Sequence, residues 1–104
     1  MILVSILKHN DIIEEMKVSG HAEYADKGKD LVCAGVSTIM IGSLNALDLL
    51  ANDTCDLVMD NNLVSIKIKK NTYDSQLIIK TVILQLETLK EKYSDYICIE
   101  QTEV

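Results

Sequence analysis

Apolar and polar residues alternate strictly along residues 64–69, within a run that begins at Leu63, and this pattern constrains the fold of the chain more than any other feature of its sequence. Successive side chains of a β-strand point to opposite faces of a sheet, so the alternation predicts a strand with one buried and one solvated face. Residues 55–59 form an apolar-rich run, and the polar residues 60–62 between the two runs favour a turn. Together these residues predict a β-hairpin.

Another pair of runs lies at the start of the chain. Residues 1–8 and 12–19 are separated by residues 9–11, which have the chemistry of a turn, and they predict a further hairpin. A final apolar run, residues 96–101, predicts a last strand. Each hairpin is followed by a segment whose apolar residues have the spacing of a helix.

The two helical segments differ in how much of their surface is apolar. Residues 31–50 are apolar on most of their circumference, which predicts a largely buried helix with Asp30 as its N-cap. The second segment is amphipathic and ends near residue 92, and either Asp74 or Ser75 has the chemistry to cap it.

The predicted order of elements is β-β-α-β-β-α-β, which indicates an α+β fold in which two helices cover a mainly antiparallel sheet. Residues 1–104 are predicted to form a single domain. With 48% hydrophobic residues, a chain of this length can bury a core without a metal or disulfides. No cofactor is expected, and no metal either, because His9, His21 and the cysteines lack the close paired spacing of a zinc site.

The charge of the chain limits the classes of partner. The formal net charge is -6, and the ten basic residues counted in it are all lysines. Since arginine is the side chain most used to bind phosphates and guanine, this composition argues against nucleic-acid binding. The acidity either serves solubility or attracts a basic partner.

The widely spaced cysteines, Cys33, Cys55 and Cys98, predict a reduced chain rather than a disulfide-bonded one. The N-terminus lacks a positively charged segment ahead of an apolar core, and the longest apolar runs are interrupted before the ~20 residues that a membrane span needs. We therefore expect a cytoplasmic protein without a membrane span. Cys55 and Cys98 lie in strand-like runs and are predicted to be core residues.

Cys33 differs from the other cysteines in its predicted place in the first helix. If Asp30 caps that helix, Cys33 occupies the third helical position, where unpaired N–H groups and the helix dipole stabilise a thiolate. His21 ends the second strand, and a predicted loop at residues 22–29 can bring its imidazole back to the thiol. Taken singly, such a cysteine is more often a small core residue and such a histidine more often a surface residue.

The ordered string of residues around these two side chains resembles a known family. Gly-His-Ala at residues 20–22, a short charged loop, and Asp-Leu-Val-Cys-Ala-Gly-Val-Ser at residues 30–37 are similar to the motif of the ribosomal-processing cysteine proteases called Prp. The resemblance extends over the whole chain in length and element order. It implies that His21 is the general base and Cys33 the nucleophile. The other residues that match motif positions are Gly20, Ala22, Asp30, Ala34, Val36 and Ser37.

The resemblance also implies a substrate and an assembly. The family removes a short N-terminal extension, apolar and containing aromatic residues, from the precursor of a large-subunit ribosomal protein, and it tends to form homodimers. A loop at residues 22–29 would suit a lid that orders over the substrate. Gly35 departs from the alanine that is usual at its position in the family.

The resulting hypothesis is acyl transfer to sulfur, in which His21 takes the proton of Cys33 and the thiolate attacks the scissile carbonyl. The N–H groups of Cys33 or Ala34 are the expected oxyanion donors, and Gly35 would let the substrate approach. Ser37 follows Cys33 by one helical turn and either bonds to the site or returns its hydroxyl to the helix backbone.

Two points stay open from the sequence. The group that orients the imidazole is Asp30, Asp26 or Glu23, or else a Cys/His dyad suffices without one. A rival hypothesis makes the chain a non-catalytic, ribosome-associated binding module in which Cys33 is a structural or redox-sensing thiol.

Overall fold

The computed structural model describes residues 1–20 and 27–104, with the backbone alone for residues 27–30. The described residues form five strands and two helices in the predicted order, which confirms the expected α+β architecture. The elements are β1 (Ile2–His9), β2 (Ile12–Ser19), α1 (Lys27–Leu50), β3 (Cys55–Met59), β4 (Leu63–Ile68), α2 (Tyr73–Lys92) and β5 (Ile97–Glu103).

The described strands form one sheet in the order β3-β4-β2-β1-β5. The pairs β1–β2, β2–β4 and β3–β4 are antiparallel, and β5 runs parallel to β1. The register brings apolar residues of neighbouring strands together: Val18 of β2 pairs with Val4 of β1 on one side and with Val64 of β4 on the other. Alternate residues of the three strands therefore face the same side of the sheet, as the alternation predicted.

That side of the sheet forms the core together with one face of each helix. The buried apolar residues from the strands are Ile2, Val4, Ile6, Ile13, Met16, Val18, Val64, Ile66 and Ile97. Those from the helices are Val32, Cys33, Val36, Met40, Leu47, Ile79, Val82, Ile83 and Leu86. The residues between them on the central strands, such as Ser5, Lys17 and Ser65, are half-buried or exposed on the other side of the sheet.

The start of α1 differs from its prediction. The helix begins at Lys27, so Asp30 is a helical residue rather than the N-cap. Gly28 and its charged neighbours favour a loop by pattern, but a glycine costs only about 1 kcal/mol inside a helix and lysine is a good helix former. Once the apolar stretch that follows is helical, each residue added before it gains a backbone hydrogen bond.

The burial of α1 is also lower than predicted. Ile41, Leu49 and Leu50 are exposed, so the helix buries one face rather than most of its circumference. By length and composition alone, Leu31–Leu50 is apolar enough to cross a membrane, which the expectation of interrupted apolar runs did not allow for. Residues of this segment that face the sheet, including Met40, belong to the core of the domain.

The N-cap of α2 is Thr72, so the prediction of Asp74 or Ser75 is wrong. The Thr72 hydroxyl accepts a hydrogen bond of 3.1 Å from the backbone N–H of Ser75, and the Ser75 hydroxyl accepts one of 3.1 Å from the backbone N–H of Thr72. This reciprocal capping box satisfies two donors at the helix start. Ser75 is fully buried, so the cap also closes the core at this end.

Candidate active site

Cys33 lies on the face of α1 that packs against the sheet. The residue is 9% exposed and belongs to the same core cluster as Val32 and Val36. Because α1 begins at Lys27, Cys33 lies more than one turn beyond the helix start. The expectation that Cys33 occupies the third helical position is therefore wrong.

The earlier helix start changes the electrostatics expected at the thiol. The unpaired N–H groups of a helix belong to its first four residues, and the effect of the helix dipole falls off within the first turn. In α-helical geometry, the N–H groups of Cys33 and Ala34 bond to carbonyls four residues earlier. They are not spare oxyanion donors, and the start of α1 does not stabilise a thiolate at Cys33.

Gly20 directly follows β2 and precedes His21. Its φ is 83°, and a Cβ at this position would collide with the backbone carbonyl oxygen of Met1, so that only glycine fits without strain. The N–H of Gly20 donates a hydrogen bond of 3.1 Å to Oδ1 of Asn62 in the turn between β3 and β4. The chain that leads to His21 is thus held against that turn.

The β3–β4 turn is braced by its first residue. Oδ1 of Asp60 accepts hydrogen bonds from the backbone N–H groups of Asn62 at 3.1 Å and Leu63 at 3.0 Å. The sequence patterns predict that residues 60–62 form a turn, but they do not predict that Asn62 contacts Gly20. Its contact with Gly20 arises from the pairing of β2 with β4, and periodicity along one strand does not show which strands pair.

Ser37 lies one helical turn after Cys33 and is half-buried. The hydroxyls of Thr38 and Ser43 return to carbonyls one turn earlier, with Thr38 Oγ1 2.8 Å from the carbonyl oxygen of Ala34. Within the described part of the chain the Ser37 hydroxyl has no such bond. It can therefore bond to a bound molecule without first leaving a partner in the helix.

Gly35 faces α2, and the expectation that it admits substrate is wrong. A Cβ at Gly35 would lie 3.3 Å from Cδ2 of Leu89, which is closer than ordinary van der Waals contact. The absence of a side chain at Gly35 lets the two helices pack closely. Of its neighbours in the motif, Ala34 is exposed and Val36 is buried in the core.

Several predicted site residues lie outside the described part of the chain. Of the loop predicted at residues 22–29, residues 27–29 are helical, and the rest falls outside the described residues. For Asp30 the helical backbone alone is described. The predicted site residues outside the description are His21, Ala22, Glu23 and Asp26.

The other two cysteines lie on different sides of the sheet. Cys55 packs against the core, as predicted, and its sulfur is 3.5 Å from Oγ1 of Thr54. Cys98 pairs in register with Leu3 on the side away from the helices, so the prediction that it is a core residue is wrong. Within residues 1–20 and 27–104, no three His, Cys, Asp or Glu side chains are grouped in a way that could hold a metal ion.

Comparison with known proteins shows what the chain is similar to. Residues 1–98 match the family described as Cysteine protease Prp. The ribosomal processing cysteine protease Prp of Staphylococcus aureus (strain Mu50) is 33% identical over 101 residues, which cover 93% of this chain and 95% of the relative. The protein of the same name from Bacillus subtilis (strain 168) is 32% identical over 94 residues, which cover 84% of each chain.

Solved structures are similar over nearly the whole chain. The crystal structure of the S. aureus Prp protease in complex with a substrate peptide has a TM-score of 0.90 and 29% sequence identity, and the match covers 98% of this chain and 100% of that one. A second crystal structure of that protease, with a covalently linked product peptide, has a TM-score of 0.86 at 30% identity and the same coverage.

Proposed function

The chain belongs to the Prp family of ribosomal processing cysteine proteases, and from this premise we propose that Cys33 is its nucleophile and His21 its general base. The observation that carries the proposal is the family match over residues 1–98, a span that includes both side chains. The hydrogen bond that ties Gly20 to Asn62 supports it, since it holds the chain at the residue before His21.

In the proposed mechanism, the imidazole of His21 takes the proton from Sγ of Cys33 and the thiolate attacks the scissile carbonyl carbon. The tetrahedral intermediate collapses as protonated His21 gives its proton to the leaving amine, which leaves an acyl group on Cys33. His21 then takes a proton from water as the hydroxide attacks the thioester carbonyl. Collapse of this second tetrahedral intermediate releases the acid and expels the Cys33 thiolate, which takes the proton back from His21.

The position of Cys33 sets what the imidazole must do. A cysteine thiol in apolar surroundings ionises less readily than one in water, and the start of α1 is too far away to counter this effect. The charge of a neighbouring imidazolium is then the interaction that favours the thiolate. We propose on this ground that Cys33 and His21 act as a Cys/His dyad.

For the substrate, we propose the N-terminal extension of a large-subunit ribosomal protein precursor. The S. aureus and B. subtilis relatives are named for ribosomal processing, and the S. aureus protein has been solved with a substrate peptide. The net charge of -6 favours encounter with a basic ribosomal protein and disfavours direct nucleic-acid binding. We also propose that the chain forms a homodimer, on the basis of the family resemblance. We propose a cytoplasmic location because the wide spacing of the cysteines is typical of a protein without disulfides.

The test is cleavage of the extended ribosomal protein by the purified chain, followed by mass spectrometry of the products. We expect wild type to release the extension as one peptide and Cys33→Ala to release none, because the acyl intermediate cannot form without the thiol. Cys55→Ala is the matched control: it also removes a thiol that touches the core, and we expect it to retain cleavage. An intact substrate after incubation with folded wild type contradicts the proposal.

The non-catalytic alternative draws on one observation, the place of Cys33 in the core. In that case the chain is a ribosome-associated binding module and the thiol only packs or senses oxidation. Cys33→Ala separates the two functions, since affinity for the ribosomal protein persists under both and cleavage is lost only if Cys33 is the nucleophile.

A further inference from the structure

The residue before the proposed general base lies just beyond the end of a strand. The pairing of β2 with β4 ends at Ser19 and Leu63, and Gly20 is the next residue of the chain. Gly20 is buried, so its backbone N–H needs a hydrogen-bond partner within the protein. Since β4 begins at Leu63, the regular pairing of the sheet does not extend to this N–H.

The side chain of Asn62 supplies that partner. Its Oδ1 accepts the N–H of Gly20 at 3.1 Å, so a side-chain amide extends the pairing by one residue. The turn that carries Asn62 is closed by a hydrogen bond of 3.0 Å from the N–H of Asp60 to the carbonyl oxygen of Leu63, in addition to the two bonds that Oδ1 of Asp60 accepts. The acceptor is therefore fixed on a braced turn.

Two segments of the fold thus set the position of Gly20. On one side the carbonyl of Met1 lies so close that no side chain fits, and on the other side Asn62 binds the N–H. Glycine adopts a wider range of backbone conformations than other residues, so a glycine without such contacts would leave the direction of the next residue open. Because consecutive Cα atoms are about 3.8 Å apart, a shift of Gly20 is passed directly to His21.

We infer that Asn62 is a positioning residue for the proposed general base: by binding the N–H of Gly20, its amide oxygen fixes the direction in which the chain continues to His21. The inference rests on the proposed function and adds a residue that acts through His21 rather than on the substrate. Proton transfer from a nucleophile to its base needs heavy atoms about 2.6–3.2 Å apart. Since a misplacement of about 1 Å can lower a rate about 100-fold, loss of one hydrogen bond beside the base is sufficient to impair catalysis.

Asn62→Ala tests the inference by removing the acceptor. Asn62 does not have the positive φ of Asn10 and Asp53, so alanine fits there without backbone strain. We expect kcat for cleavage of the extended ribosomal protein to fall about tenfold or more and KM to stay within about twofold, because only the base is displaced. Asn62→Asp keeps the acceptor oxygen and should recover most of kcat. Asn61→Ala is the matched control: it alters the same turn at an exposed side chain that has no hydrogen bond within the described residues.

A second measurement distinguishes positioning of the base from stability of the turn. In a protein with Cys55→Ala and Cys98→Ala, Cys33 is the remaining thiol, and its rate of alkylation by iodoacetamide is measured as a function of pH. An imidazolium beside the sulfur keeps the thiolate populated below about pH 8.5, the pKa of a free cysteine. We expect Asn62→Ala in this background to raise the midpoint of the profile by about one pH unit or more, and Asn61→Ala to leave the midpoint unchanged. A less stable turn alone would lower Tm without moving the midpoint.

The outcomes separate the inference from the proposed function. If wild type cleaves no ribosomal protein, both fail. If wild type cleaves and folded Asn62→Ala has the same kcat, Asn62 does not position the base and the protease proposal stands. The same conclusion follows if kcat falls while the alkylation midpoint is unchanged, or if Asn61→Ala raises the midpoint as far as Asn62→Ala does. Circular dichroism confirms folding of each variant, and Asn62→Leu, which is similar in shape and has no acceptor, replaces Asn62→Ala if the latter is unfolded, with the same expected changes.

Discussion

Alanine at Gly20 is expected to destabilise the fold and to impair cleavage beyond the loss of folded protein. A non-glycine residue in a left-handed conformation costs about 1–2 kcal/mol. The new Cβ would also meet the carbonyl oxygen of Met1, and moving either segment to relieve this contact strains the backbone by about 1–3 kcal/mol. Restricting the unfolded chain returns only about 0.4–1 kcal/mol. The net loss is therefore about 1–5 kcal/mol, a substantial part of the 5–15 kcal/mol typical of a domain.

Two other glycines provide controls for the same substitution. Gly42 lies in α1 with no atom within 4 Å of a Cβ placed there, so Gly42→Ala should stabilise the protein by about 0.5–1 kcal/mol through helix propensity. At Gly35 the Cβ would lie 3.3 Å from the end of the Leu89 side chain. The gain in helix propensity there is offset by displacement of Leu89, and we expect Gly35→Ala to change stability by less than about 1 kcal/mol.

The free energy of unfolding of the three variants is measured by urea denaturation monitored by circular dichroism. Cleavage is assayed without urea, at a temperature at which each variant is folded. Gly20→Ala should shift the transition midpoint to lower urea with an unchanged m-value. Its kcat/KM should fall although the protein is folded, because the displaced residue adjoins His21. If the Gly20→Ala protein is as stable and as active as the Gly42→Ala protein, the end of β2 does not require glycine.

Two further predictions concern residues away from the site. The hydrogen bonds from Lys69 and Lys70 lower the pKa of Asp53, so the stability that this carboxylate contributes is present above the pKa of an unfolded aspartate and is lost as the pH falls through its lower folded value. Asn also tolerates the φ of 62° at this position, so Asp53→Asn removes the charge without straining the backbone. The substitution should lower Tm slightly at neutral pH in low salt, and it should leave Tm unchanged at acidic pH or in high salt. An equal loss of Tm under all conditions would exclude the charge as the cause. Thr72→Ala removes the cap acceptor for Ser75 and should cost about 1 kcal/mol in urea denaturation, and an unchanged midpoint would show that the capping box does not stabilise α2.

The bounds of β2 and β4 follow the sequence closely because a strand with one wet face must alternate, and any shift by one residue would place polar side chains in the core. The start of α1 does not follow, since no residue before it breaks a helix strongly enough to fix the boundary. Gly28 was the strongest local signal for a loop, and its cost of about 1 kcal/mol is small beside the packing of the helix behind it. Helix ends are thus set by tertiary context where no proline or strong cap intervenes.

The site was predictable as a set of residues but not as an arrangement. The order of His21 and Cys33 in the motif is a property of the chain, and it identified the family. The contact between Gly20 and Asn62 depends on β2 pairing with β4, and the burial of Cys33 depends on which face of α1 meets the sheet. Both depend on contacts between segments that are distant in sequence, and the periodicity of a single segment does not predict such contacts.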